Sequence, residues 1–244
     1  FFQAEDGIRD RSPSRGLGDV YKRQPSRRSI DREFADWLIE FAKDSKLYYV
    51  TGSDRRKTME QLGPDVYLLA KRVYQCSGND VWEKEKGNIK SGTMAVPDML
   101  FQSMLEELEV NEFPIRTGNH IESRPGLCNF SIVGRNASRA ERREYVKYDL
   151  KHKDREQIAK RLGEKYTSYN VQVAGETGLD IMPKGRDKSQ ILNDFEQDDT
   201  IYFFGDKCQE GGNDYEIARA ALARGGIVHE VESWEDTWRI LKEL

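Results

Sequence analysis

Histidine and cysteine are scarce in this chain of 244 residues, which contains three of each. The cysteines are odd in number and show no CxxC spacing, so we expect reduced thiols rather than a disulfide framework or a zinc cluster. No apolar run approaches the roughly 20 residues that a membrane-spanning helix needs. Charge of one sign is not in large excess either, because the formal net charge is only −4. We therefore expect a cytoplasmic protein with no nucleic acid and no membrane as partner.

The first 24 residues follow neither a helical nor a strand period. Charged residues, glycine and serine alternate there without an apolar face that could be buried. The stretch resembles a translated sequencing adapter. We interpret residues 1–24 as an artefact and expect the authentic domain to begin near Pro25.

Helix and strand signals alternate at both ends of the remaining chain. A helix capped by Asp31 comes first, apolar strands are predicted at 47–50 and 73–76, and a helix lies between them. The same alternation returns over residues 201–231, and a last helix begins at Trp234. Strand, helix and strand in this order predict a parallel sheet with right-handed crossovers.

The middle of the chain has a different pattern. Glycine, asparagine and lysine over 77–91 indicate a crossing point between units, and a charged helix is predicted over 138–163. Hairpin-like strands around long helices predict an α+β cap over an antiparallel sheet. The predicted fold class is α/β: a Rossmann-like parallel-sheet core, residues 25–84 and 185–244, with an inserted cap at 85–184.

An acid-rich turn follows the apolar strand at 201–204. Asp206 comes directly after its closing glycine, and Asn213 and Asp214 follow a glycine pair. Open α/β sheets bind ligands at the carboxyl ends of their strands, where such oxygen donors suit Mg²⁺ held together with a phosphate. We predict a metal site at these three residues. The alternative is an ordinary strand-to-helix turn with Asp206 as a cap.

Arginines cluster around a predicted helix start. Ser138 and Glu141 have capping-box spacing, which places Arg142 in the first turn, where the exposed N–H groups attract anions. Arg135 lies in the preceding loop and Arg124 further upstream. Arginine suits a bidentate grip on phosphate oxygens. The alternative is that these side chains belong to a solvated, charged helix face.

Three other residues have positions that suit phosphate binding. Thr51 and Ser53 directly follow a strand, where a hydroxyl and backbone amides can receive phosphate oxygens. Lys188 lies where a strand gives way to a helix. A plain turn and an exposed first-turn lysine are the alternatives.

Taken together, these segments resemble the eukaryotic-type phosphomannomutases of the haloacid dehalogenase (HAD) superfamily. The likeness covers residues 25–244, and each segment is weak alone but specific in this order and spacing. The segments that carry it are 25–31, 52–54, 121–126, 134–138, 141–142, 180–183, 185–188 and 205–214.

The resemblance implies an enzyme that interconverts mannose 6-phosphate and mannose 1-phosphate for GDP-mannose synthesis. The reaction would use Mg²⁺, an aspartyl-phosphate and a hexose bisphosphate as activator, and the protein would be a homodimer through the cap. The implied substrate-binding residues are Arg27, Arg124, Arg135, Arg142 and Asp180. The implied phosphate-binding residues are Thr51, Ser53 and Lys188, and the implied metal ligands are Asp206, Asn213 and Asp214.

The chain departs from the family pattern at two places. The aspartate-x-aspartate-glycine-threonine segment expected just before Pro25 is missing, and Asp19 lacks the second acid and the Gly-Thr that follow in the family. We therefore expect no catalytic aspartate in the chain as written, and activity in its parent protein. Gly178 stands where the family has a serine that helps to hold the substrate. The alternatives are a sugar-phosphate phosphatase of the same superfamily and a non-catalytic sugar-phosphate-binding fragment.

Overall fold

A computed structural model describes residues 30–244. Within this range the chain forms seven α-helices and ten β-strands, and the strands are arranged in three sheets. No helix in the described range is long and apolar enough to cross a membrane. The predicted artefact at 1–24 lies outside the described residues.

The first sheet combines a parallel pair with an antiparallel hairpin. Strand β1 (Tyr48–Val50) pairs in parallel with β2 (Arg72–Gln75), and helix α2 (Arg55–Tyr67) connects them. The sheet continues with β3 (Asp80–Glu83) and β4 (Gly87–Ser91), which are antiparallel. The parallel pair confirms the prediction. The hairpin was not predicted, because its glycine, asparagine and lysine residues indicate a crossing point in the sequence.

Helix α1 (Arg32–Phe41) precedes this sheet and begins where its cap predicts. The Asp31 carboxylate accepts hydrogen bonds from the N–H groups of Glu33 and Phe34. Phe34 and Leu38 lie one helical turn apart, and both are fully buried. One face of the helix therefore packs into the core.

A second parallel pair lies near the C-terminus. Strand β9 (Tyr202–Gly205) pairs with β10 (Ile227–Glu230), helix α6 (Tyr215–Ala223) connects them, and α7 (Trp234–Leu241) follows. One apolar cluster contains side chains from both parallel pairs, which places them around a shared core. Its members include Val50, Tyr74, Phe203 and Ile217.

The intervening chain forms a separate antiparallel sheet, as predicted. Its strands are β5 (Ile121–Arg124), β6 (Leu127–Phe130), β7 (Tyr169–Ala174) and β8 (Gly178–Pro183). They are hydrogen-bonded in the order β5-β6-β8-β7.

Three helices cover one face of this sheet: α3 (Asp98–Val110), α4 (Arg139–His152) and α5 (Asp154–Lys165). Alternate strand residues point to this face and form an apolar core with the helices. The core includes Leu100, Cys128, Phe130, Tyr145, Ile158, Leu179 and Ile181. The remaining strand residues point to the opposite face, which carries the candidate site.

The charged stretch 138–163 is two helices, so the prediction of one long helix was wrong. Lys153 separates them with a left-handed backbone at φ 55° and ψ 34°. The Asp149 carboxylate accepts hydrogen bonds from the backbone N–H and the guanidinium of Arg155. It therefore provides an acceptor for one of the free N–H groups in the first turn of the second helix. A uniform run of charged residues does not reveal this contact.

The hydrogen bonds of the first sheet continue to Ser91, whereas the predicted division of the chain lies at residue 85. The assignment of 25–84 and 185–244 to a core and of 85–184 to a cap stays a prediction. We call the unit around the antiparallel sheet the cap and the unit around the parallel pairs the core.

Replacing Lys153 by glycine should stabilise the protein. A non-glycine residue in the left-handed region carries a penalty of about 1 kcal/mol, which glycine does not. The free energy of unfolding, measured with urea, should therefore rise by up to about 1 kcal/mol. The control is Lys147→Gly at an exposed position inside α4, where glycine should cost about 1 kcal/mol. Equal destabilisation by both substitutions would contradict the left-handed assignment.

Candidate active site

Two loops meet at the carboxyl end of the first parallel pair. The loop after β1 contains Thr51 and Ser53, and the loop after β2 contains Cys76 and Ser77; all four residues are buried. The N–H of Cys76 donates to the carbonyl of Ser53, and that of Ser77 donates to the carbonyl of Thr51, each at 2.9 Å. Cys76 and Ser77 have φ values of 48° and 58°. Such strained backbone is typical of functional sites, and the sequence did not indicate it.

The loop after β1 leads directly into a helix N-terminus. The Thr51 hydroxyl accepts a hydrogen bond of 3.0 Å from the N–H of Ser53. Asp54 caps α2 by accepting a hydrogen bond of 2.9 Å from the N–H of Lys57. The structure thus places Thr51 and Ser53 beside the positive end of a helix, where a phosphate is favoured.

The loop after β9 gathers buried charges. Asp206 is 7% exposed and Asp214 is fully buried. The ammonium group of Lys188 lies 3.0 Å from Oδ1 of Asp214, and neither side chain is more than 3% exposed. Gly205 leaves room for the Asp214 carboxylate, because a Cβ atom at residue 205 would lie 3.0 Å from Oδ2 of Asp214.

The thiol of Cys208 lies close enough to Asp206, Asp214 and Lys188 for their charges to affect its pKa. Burial raises its pKa to about 12, with Asp214 and Asp206 raising it and Lys188 lowering it. The pKa of this thiol lies far above neutral pH, so Cys208 is an inert neighbour of the charged groups rather than a nucleophile. Lys188 is therefore a buried partner of Asp214 and not the exposed first-turn lysine of the alternative, whereas its role in phosphate binding stays a prediction.

These residues fit part of a magnesium shell. Carboxylate and amide oxygens are the donors that Mg²⁺ prefers, and Oδ2 of Asp214 accepts no hydrogen bond from residues 30–244. Over the same range, however, no three His, Cys, Asp or Glu side chains are grouped as a complete metal site. The assignment of Asp206, Asn213 and Asp214 as ligands stays a prediction.

A polar row crosses the open face of the cap sheet. Strand register places Glu122 of β5 opposite Asn129 of β6, Asn129 opposite Asp180 of β8, and Asp180 opposite Gln172 of β7. Nδ2 of Asn129 donates a hydrogen bond of 2.6 Å to Oδ1 of Asp180. Arg124 lies two residues after Glu122 and so points to the same face.

The three predicted cap arginines lie among carboxylates. Nε and Nη2 of Arg124 lie 2.8 and 2.7 Å from Oε2 of Glu122, and Nε of Arg135 lies 3.2 Å from the same oxygen. Arg142 is 3.5 Å from Glu176. The pKa of Arg135 is lowered first by burial and then by the charge of Arg124, with a further contribution from Arg142. The three guanidinium groups therefore share one cluster. The structure places Asp180 beside it, with Oδ1 4.0 Å from Nη1 of Arg124.

The polar face of the cap sheet covers the strand ends of the core. Cys76 in the core packs with Leu127 and Met182 of the cap. Leu127 is paired directly with Arg124, and Met182 lies two residues after Asp180. Burial raises the pKa of the Cys76 thiol, which the charge of Arg124 lowers and that of Asp180 raises. The cap cluster thus lies over the loops that contain Thr51 and Ser53. Arg27 lies outside the described residues.

Gly178 lies against Asn129, a residue that no sequence motif marked as part of the site. A Cβ atom at Gly178 would be 2.8 Å from Nδ2 of Asn129, so a serine would fit only if that side chain moved. Asn129 is 3% exposed, and its Oδ1 accepts no hydrogen bond from the described part of the chain. Its position beside Asp180 follows from strand register, which a single sequence does not specify.

Replacing Lys188 by methionine should destabilise the protein strongly. The substitution leaves the fully buried carboxylate of Asp214 without its ammonium partner, which typically costs about 3 kcal/mol or more. Urea denaturation of the variant should show this loss, and the double variant Lys188→Met/Asp214→Leu should recover much of it. The exposed control Lys184→Met should change stability by no more than about 0.5 kcal/mol. Equal stability of the two lysine variants would argue against the buried pair.

Sequence comparison shows which known proteins this chain is similar to. The family model for eukaryotic phosphomannomutase matches residues 34–244. A probable phosphomannomutase of Caenorhabditis elegans is 36% identical over 235 residues, which are 90% of this chain and 91% of the relative. A phosphomannomutase of Saccharomyces cerevisiae is 33% identical over 235 residues, with coverage of 90% and 89%.

Solved structures show the same fold at low identity. The IMP-bound, N-terminally truncated IMP-nucleotidase of Plasmodium falciparum gives a TM-score of 0.60 at 15% identity, with 99% of this chain and 66% of that chain covered. A HAD subclass IIB sugar phosphatase gives 0.53 at 16% identity, with coverage of 88% and 90%. These matches confirm the predicted α/β fold with a core and a cap. Since the family model matches most of the sequence, the chain belongs to the eukaryotic phosphomannomutase family.

Proposed function

We propose that the parent protein of this chain is a phosphomannomutase that interconverts mannose 6-phosphate and mannose 1-phosphate. The observation that carries the proposal is the guanidinium cluster of Arg124, Arg135 and Arg142 on the cap face that covers the core loops. A mutase must bind a hexose bisphosphate in two orientations, so it needs a phosphate site away from the metal. A phosphatase needs only the site at which phosphate is transferred.

In this proposal the cap holds the end of the substrate that does not react. The three arginines bind the phosphate that is not transferred, and guanidinium groups suit that bidentate role. Asp180 accepts hydrogen bonds from sugar hydroxyls. Arg27 is proposed to join the arginines from the core side, as the family resemblance implies.

The core holds the phosphate that is transferred. Thr51 and Ser53 lie beside the N-terminus of α2, and Lys188 adds a positive charge near the acidic turn. Mg²⁺ bound by Asp206, Asn213 and Asp214 would neutralise the negative charge of the reacting phosphate group. We assign no nucleophile within residues 25–244. The aspartate pair of the family and a hexose bisphosphate activator complete the proposed chemistry.

We further propose a cytoplasmic homodimer that associates through the cap. Outward-facing apolar side chains of α3 support this association. Phe101 and Leu105 lie one turn apart and are 44% and 39% exposed. A second copy of the chain that covered this face would remove their apolar surface from water.

A turnover assay tests the proposal. The substrate is mannose 1-phosphate, supplied with Mg²⁺ and a hexose bisphosphate, and the product measured is mannose 6-phosphate. A chain in which an aspartate-x-aspartate-glycine-threonine segment replaces residues 1–24 should turn over, whereas the chain as written should not. Arg135→Gln in the active chain should lower kcat/KM by about 10- to 100-fold, because a charge-assisted phosphate contact is worth about 1.5–3 kcal/mol.

The matched control is Arg143→Gln, which removes an exposed arginine of α4 next to the cluster. Its kcat/KM should stay close to that of the parent. Release of inorganic phosphate without isomerisation would instead identify a sugar-phosphate phosphatase. An equal loss in both arginine variants would contradict the specific role of the cap cluster.

A further inference from the structure

One carboxylate oxygen in the cap cluster is surrounded by positively charged nitrogens. Oε2 of Glu122 lies 2.8 and 2.7 Å from two nitrogens of Arg124 and 3.2 Å from Nε of Arg135. Two guanidinium groups therefore share a single anionic oxygen. This is also the arrangement in which arginines bind a phosphate oxygen.

Exposure differs between the partners in this contact. The side chain of Arg124 is only 7% exposed and that of Arg135 is 22% exposed, whereas that of Glu122 is 39% exposed. Water therefore reaches the carboxylate more readily than either guanidinium group. Glu122 is therefore the member of this contact that lies closest to solvent.

Carboxylates lie close to all three arginines before any ligand binds. Within residues 30–244, the ion pairs of these arginines involve three carboxylates at 4.0 Å or less. These carboxylates belong to Glu122, Glu176 and Asp180. A phosphate dianion that enters must displace one of them or bear its repulsion.

We propose that Glu122 is an internal counter-anion that competes with the substrate phosphate for Arg124 and Arg135. This inference rests on the proposed function of the cap arginines. Glu122 holds the guanidinium groups in their binding arrangement when no phosphate is present and weakens the cap site when one arrives. A bisphosphate that must release either end during a mutase cycle requires such a limit on affinity.

Binding of mannose 6-phosphate to the chain as written tests the inference by calorimetry. Glu122→Gln keeps the size of the side chain and removes its charge, so the Kd should fall by about tenfold. The control Glu164→Gln makes the same change in net charge at a position 68% exposed on α5, and its Kd should not change. Arg135→Gln should abolish the binding and so shows that the probe occupies the cap site.

The outcomes separate this inference from the proposed function. If Arg135→Gln abolishes binding but Glu122→Gln leaves the Kd equal or raises it, Glu122 only positions the arginines and the counter-anion role is overturned. If the parent chain does not bind, or Arg135→Gln binds as well as the parent, the proposed cap site itself fails. Should Glu122→Gln not fold, Glu122→Thr removes the same charge with a residue suited to a strand and must give the same tighter Kd.

Discussion

Repulsion among three neighbouring guanidinium groups is the constraint on which the rest of the cap depends. Burial and the nearby charges of Arg124 and Arg142 lower the pKa of Arg135, and nearby carboxylates offset this repulsion. Glu122 comes from strand β5, Glu176 from the turn after β7 and Asp180 from β8. The proposed anion site therefore requires all these strands to be paired in their observed register.

Because side chains alternate along each strand, this register gives the cap sheet one apolar face and one polar face. One face of the sheet is buried against α3, α4 and α5, and the other carries the polar row and the arginines. A slip of one residue would exchange these two faces and place charges in the apolar core. Leu127 and Met182 are apolar exceptions on the polar face, and they pack on Cys76 of the core. The same face thus carries both the proposed ligand-binding groups and the apolar contact with the core.

Local signals made much of this structure predictable from the sequence. The cap at Asp31, the apolar strands that end at 50 and 204, and the capping box at Ser138 depend on neighbouring residues only. The cap arginines were identified from their position around a predicted helix start, whereas Asp180 was identified from the family resemblance. The break at Lys153 and the positions of Glu122 and Asn129 were not predicted. The break depends on a local contact between Asp149 and Arg155 that a uniform run of charged residues does not reveal. The contacts of Glu122 with Arg135 and of Asn129 with Asp180 depend on tertiary structure, which a single sequence does not specify.

The central claim is that two anion sites, one in the cap and one in the core, face a common space. A crystal structure of the chain with a bound hexose 1,6-bisphosphate tests this claim most directly. We predict that one phosphate contacts Arg124, Arg135 and Arg142, and that the other lies beside Ser53 and Lys188. A bisphosphate bound with both phosphates away from the three arginines would contradict the account.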